Sequence, residues 1–175
     1  MKTISFAVCL SAVALLLFGC AHNAEERQLQ TFITAHVAKV ETLSDKANLA
    51  YWDASTTGES EYYDKLSRLQ IRIRRIQSDP QEYTFLRDLR ESGKVGDARL
   101  ARQLDKLCHG YLQNQIEPGL LERIVDADTK IQEKYNNFRG TIEGEKVTNS
   151  DVYTILTTAK DIRKRELAWK ASKQV

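Results

Sequence analysis

Residues 78–112 read SDPQEYTFLRDLRESGKVGDARLARQLDKLCHGYL, and this stretch decides the fold. Asp79 can cap a helix through its carboxylate. Pro80 suits the first helical position, where no amide hydrogen is needed, and Glu82 stands where a capping box wants a carboxylate. Tyr83, Leu86 and Leu89 then recur at threes until Gly93, a helix stop. Asp97 starts a second helix whose Leu100, Leu104, Leu107 and Tyr111 fall on one face.

The same grammar extends in both directions. Upstream, Ala24 to about Asp53 carries Leu29, Phe32/Ile33, His36/Val37, Val40, Leu43, Ala47 and Tyr51 at threes and fours, with Glu25 and Glu26 suited to the helix N-terminus. Ser55-Thr56-Thr57-Gly58 breaks that helix. Thr56 and Glu59 form a capping box for the next, in which Tyr62, Leu66, Leu69, Ile73 and Ile76 point inward. Glu61/Lys65 and Asp64/Arg68 are i,i+4 pairs in the favourable order. Downstream, Pro118 opens a fifth helix with Leu121, Ile124/Val125, Asp128, Ile131, Tyr135 and Phe138 inward, ended by Gly140. Residues 141–147 form a loop or a short extended piece. Thr148 with Asp151 begins a sixth helix bearing Val152, Ile155 and Leu156, and Asp161 a last one bearing Leu167, Ala168 and Ala171. No alternating apolar run is long enough for a sheet. The fold class is therefore all-α, a multi-helix bundle of about seven helices. An elongated, coiled-coil-like bundle is the alternative, because two helices keep heptad-like spacing.

Composition agrees. The 175 residues are 42% hydrophobic and 29% charged, with 8 Gly and 2 Pro, which excludes disordered, collagen-like and low-complexity chains. The 26 basic and 24 acidic side chains leave a formal charge of +2, too small to argue for nucleic acid.

The first residues read as an address. Lys2 precedes the apolar run Ile4 to Phe18, of signal-peptide length and short for a membrane span. Leu17-Phe18-Gly19-Cys20 resembles a bacterial lipoprotein signal. That divides the chain into a signal peptide (1–19), a lipid-anchored linker (20–23) and a helical domain (24–175), with Cys20 as lipid acceptor and two or more acyl chains as a stable anchor. Ala21 is unlike an inner-membrane retention signal, so the expected location is the cell envelope, on an outer membrane facing the periplasm where the source has one. Cys108 is then the one thiol of the folded part, and no internal disulfide is available.

No catalytic constellation is legible. His22 adjoins the anchor, His36 sits on an apolar stripe as a half-buried histidine, and His109 follows Cys108, a spacing that does not share a metal. There is no H-E-x-x-H, no zinc-ligand spacing, no phosphate loop and no G-x-S-x-G. The carboxylate pairs Glu25/Glu26 and Asp126/Asp128 read as helix termini or solvated faces. Arg68, Arg72, Arg74 and Arg75 read as a salt-bridged exposed face, with nucleic-acid phosphates or anionic lipid head groups as alternatives.

Two segments carry a resemblance. One is Asn48-Leu49-Ala50-Tyr51-Trp52-Asp53-Ala54-Ser55-Thr56-Thr57-Gly58. The other is FRGTIEGEKVTNSDVYTILTTAKDIRKRELAWKASKQV over residues 138–175. In this order they resemble the N-terminal helical half of bacterial zinc metallopeptidases of the angiotensin-converting-enzyme and oligoendopeptidase type. The resemblance implies a helical gluzincin whose N-terminal helices form a wall and lid of a channel for unstructured oligopeptides. It also implies zinc held by two histidines of an H-E-x-x-H helix and a downstream glutamate, whose residues are not in this chain. No catalytic, metal or cofactor residue is carried over. The helix ending at Lys173-Gln174-Val175 without a cap reads as a cut through a larger fold, inactive alone and lacking its C-terminal catalytic half. The alternative is a stand-alone helical lipoprotein that binds a partner or a peptide. Trp52 and Trp169 are expected as packing anchors.

Overall fold

The computed structural model describes residues 24–174. The expected leader, Cys20, His22 and the linker lie outside the described residues, as does Val175. Those described form seven helices and one two-stranded sheet: α1 (Ala24–Thr57), α2 (Ser60–Gln77), α3 (Pro80–Ser92), α4 (Ala98–Leu112), α5 (Pro118–Asn137), β1 (Gly140–Ile142), β2 (Glu145–Val147), α6 (Asn149–Thr158) and α7 (Ile162–Ala171). The fold is all-α. The chain groups into two compact units, one of residues 24–43 and 73–117, the other of 44–72 and 118–174.

The first unit is built on the pattern of residues 78–112. The Asp79 carboxylate accepts the amides of Gln81 and Glu82 ahead of Pro80, and Gly93 closes α3 in the left-handed conformation (φ 65°, ψ 11°). Asp97 caps α4 by accepting the Leu100 amide. A second carboxylate secures the same turn from a distance, since Glu26 accepts the amides of Gly96 and Asp97 at 2.9 Å each. The apolar faces then meet. Leu29 of α1, Leu86 and Leu89 of α3, and Leu100, Leu104, Cys108 and Tyr111 of α4 form one buried cluster, flanked by Phe32, Ile33, Tyr83, Phe85, Val95 and Leu107. Each fully buried leucine contributes about 1.5–3 kcal/mol of apolar transfer.

The second unit uses smaller residues and more hydrogen bonds. Ala47, Ala50 and Ala54 are the buried positions of its part of α1. Tyr63, Leu66, Ser67 and Leu69 are buried on α2, and Leu121, Val125 and Thr129 on α5. Ser67 donates to Asp126, Asn136 donates to the Tyr63 hydroxyl at 3.1 Å, and Asn137 donates to the Gly58 carbonyl at 2.7 Å. The piece after α5 is an antiparallel hairpin with Gly140 opposite Val147. Glu143 (φ 51°) and Gly144 (φ 91°) are both left-handed, as a two-residue type I′ turn requires. Gly140 lies against α7 so closely that a Cβ there would stand 2.7 Å from the Ala171 carbonyl oxygen. The Gln174 side chain closes the contact, accepting from the Thr141 amide and donating to its carbonyl. The Thr148–Asp151 capping box forms as expected. Val152, Ala168 and Ala171 are buried with Ile142, Val147, Ile155 and Leu156 against them.

Several expectations are corrected. Helix α1 runs on to Thr57, closed by the Gly58 amide donating to the Ala54 carbonyl at 2.9 Å, and the Thr56 and Thr57 hydroxyls bond back to the Trp52 and Asp53 carbonyls at 2.8 Å each. The Thr56–Glu59 capping box is therefore not made. Glu82 does not complete a box with Asp79, since its carboxylate is engaged by Lys39 and Tyr111. Gly140 does not end α5, which stops at Asn137. On α2 it is Tyr63 that is buried, with Tyr62, Ile73 and Ile76 half-buried. Neither Glu61/Lys65 nor Asp64/Arg68 closes into an ion pair among the described residues. On α5 the inward stripe is Leu121, Val125 and Thr129, whereas Ile124, Asp128, Ile131 and Tyr135 are exposed. Trp52 (67% exposed) and Trp169 (56%) are not packing anchors. Alanines take the inward positions of those turns.

Candidate functional site

A connected row of polar side chains in the first unit borders its apolar core. His36 of α1 is 8% exposed and stacks on Phe32, with ring centroids 6.0 Å apart and planes 11° apart. Its Nδ1 is 3.0 Å from the hydroxyl of Tyr111, a fully buried residue of α4. That hydroxyl donates its single proton to Glu82 of α3. It can then only accept from His36, so the hydrogen-bond network assigns the proton of neutral His36 to Nδ1. Glu82 also receives Lys39 Nζ at 2.6 Å. The order is Lys39 ammonium, Glu82 carboxylate, Tyr111 hydroxyl, His36 imidazole.

The electrostatics follow from burial. Loss of hydration lowers the His36 pKa, with the Glu82 charge opposing and Lys39 assisting. Burial and the bond to Glu82 push the Tyr111 phenol well above its ordinary value. The array thus holds a neutral imidazole with Nε2 unprotonated, a hydrogen-bond acceptor.

Beside His36 opens a pocket of about 320 Å³ between α1 and α4. Arg99, Arg102 and Lys106 line it, as do Ile33, Val37 and Leu107. The three cations fall on one face of α4, opposite the buried Leu100, Leu104 and Cys108.

The remaining candidates have structural roles. Cys108 is buried in the core, and desolvation raises its thiol pKa, so it is held as an unreactive thiol. His109 Nδ1 turns to the Asp105 carbonyl at 2.7 Å and shares no site with Cys108. Glu25 pairs with Lys94, whose hydrogen bond holds its carboxyl below the usual range. Arg68, Arg72 and Arg74 make no ion pair among the described residues, so the salt-bridged reading does not hold for these three. No group of three or more His, Cys, Asp or Glu among the described residues is placed to hold a metal ion. None of their helices is long and apolar enough to cross a membrane.

Sequence reasoning placed His36 in the interior but missed Tyr111, Glu82 and Lys39 as its neighbours. It also passed over the cations of α4, although Arg99, Arg102 and Lys106 are spaced i, i+3, i+7 and could have been found by that period. Comparison with family models, with curated protein sequences and with solved structures finds no match to this chain.

Proposed function

We propose that this chain is the N-terminal helical part, a wall and lid of the substrate channel, of a secreted lipid-anchored zinc metallopeptidase that hydrolyses oligopeptides. The observation that carries the reading is a set of large apolar side chains on the second unit that stand exposed. Ile131 and Tyr135 are 67% and 63% exposed on one face of α5, with Ile124 two turns earlier. Trp52 and Trp169, also exposed, belong to the two segments that carry the peptidase resemblance. Large side chains at helical spacing mark a surface that another element covers. In this reading the missing cover is the catalytic half, which brings the two histidines and the glutamate that hold zinc, while Cys20 carries the lipid. The residues here position a peptide and break no bond.

The basic, apolar-floored pocket on the first unit favours a second reading, a stand-alone helical lipoprotein acting as a partner- or peptide-binding module. Sequencing the source gene past the codon for Val175 separates the two. We expect the reading frame to continue, or to resume after a one-base shift, into an H-E-x-x-H helix. A stop with no zinc half nearby overturns the peptidase reading and leaves the binding module.

A further inference from the structure

We propose that the pocket between α1 and α4 binds a small amphipathic anion, a carboxylate head on a short aliphatic or aryl body. This goes beyond the peptidase reading and does not depend on it, because every residue used lies in the first unit. The argument starts from charge. Arg99, Arg102 and Lys106 project from one face of α4, Arg102 and Lys106 one turn apart. Like charges at that spacing weaken a helix. A carboxylate nearby would relieve them, and α4 contains one, but Asp105 pairs with Arg90 and His109 instead. None of the three cations has an ion-pair or side-chain hydrogen-bond partner among the described residues. The helix therefore carries an uncompensated positive rim.

The floor that the rim surrounds is aliphatic: Ile33 and Val37 from α1 and Leu107 from α4. A bare phosphate would satisfy the rim and leave the floor wet. A neutral hydrocarbon would dry the floor and leave the rim unpaired. A ligand with an anionic end and an apolar body does both. The volume, about 320 Å³, lies at the low end of the ~300–1,000 Å³ range of small-molecule sites, which suits an acyl-sized ligand. His36 forms part of the wall. With its Nδ1 held by Tyr111, its ring is a fixed reporter of occupancy.

The test is calorimetric titration of the purified full chain with octanoate, octanol, octylammonium and inorganic phosphate, with the His36 ring resonances followed in parallel. Octanoate should bind saturably, with Kd below about 1 mM, and shift the His36 resonances. The other three should bind at least about tenfold more weakly. The double variant Arg102→Gln/Lys106→Gln changes exposed side chains and should lose about tenfold or more in octanoate affinity. Arg68→Gln/Arg72→Gln on α2 should lose none. Equal affinity for octanoate and octanol, or octanoate binding unchanged in the α4 variant, overturns the proposal. So does association with phosphatidylglycerol vesicles without binding of free octanoate, which would make the rim a membrane-facing surface.

Discussion

The Tyr111 hydroxyl joins three helices through one atom, and Tyr111→Phe removes that atom while keeping the ring. Two hydrogen bonds vanish. One goes to the Glu82 carboxylate, and bonds to a charged group are worth about 1.5–3 kcal/mol. Glu82 keeps its Lys39 partner and a side-chain exposure of 22%, so water can replace the hydroxyl there, and the cost falls below that range. The other comes from His36 Nδ1, whose residue is 8% exposed. A buried donor left unsatisfied costs about 1–3 kcal/mol. Together these give a destabilisation of about 2–3 kcal/mol. At about 2–4 °C per kcal/mol for a chain of this size, Tm should drop by about 5–10 °C. Urea unfolding followed by far-UV circular dichroism reads the change, with the m-value compared to show that the same structure unfolds. Tyr83→Phe is the control, because the Tyr83 ring packs on the same core and its hydroxyl has no hydrogen-bond partner among the described residues. It should stay within about 0.5 kcal/mol of the parent. If the two variants prove equally stable, the hydroxyl does not couple His36 to Glu82 and the order of the array is wrong.

Three further outcomes are expected. His36 is neutral in the fold with a lowered pKa, whereas in the unfolded chain it takes up a proton near the ordinary imidazole value of about 6.5. Stability is therefore full above that pH and declines as pH falls through it, until the folded His36 protonates as well. Urea midpoints between about pH 7.5 and about pH 5 should show the decline, and His36→Gln should flatten it. Gly140→Ala puts a methyl 2.7 Å from the Ala171 carbonyl oxygen. It should cost about 1–3 kcal/mol, seen as faster hydrogen exchange at the Thr141 amide. Cys108 should react with an aromatic disulfide reagent only after denaturant is added, and labelling of the native chain at the rate of a free thiol would contradict its burial.

What was legible in the sequence was local chemistry. Asp79-Pro80, Gly93, Asp97, Thr148 with Asp151, and Asp161 mark helix ends within one turn, where a cap either fits or does not. The misses share a different cause. On α5, Leu121/Val125 and Ile124/Ile131/Tyr135 form two apolar stripes, and periodicity alone cannot say which faces inward. Glu82 was suited to a capping box, but a box competes with whatever tertiary partner comes within reach, and Lys39 and Tyr111 prevailed. Thr56 could bond forward to start a helix or back to prolong one. Tyr111 lies 75 residues from His36, so the array joins residues that no local rule connects. The tryptophans are not anchors because the contacts beside them, at Ala50, Ala54, Ala168, Ala171 and Gly140, accept only small side chains.

The interleaving of the two units has a consequence for dissection. Each is made of two stretches of chain, with boundaries after Leu43, Arg72 and Glu117. No single cut releases either unit, and a fragment taken from either terminus carries one of them incomplete. Two of the three boundaries fall inside α1 and α2, where a protease must first unwind several turns to seat an extended substrate. The third is the Glu117–Pro118 bond, at which the proline ring obstructs most proteases. Cleavage at any one of these boundaries therefore releases neither unit as a single intact fragment. A grafted unit would need its ends rejoined by circular permutation, not simple excision.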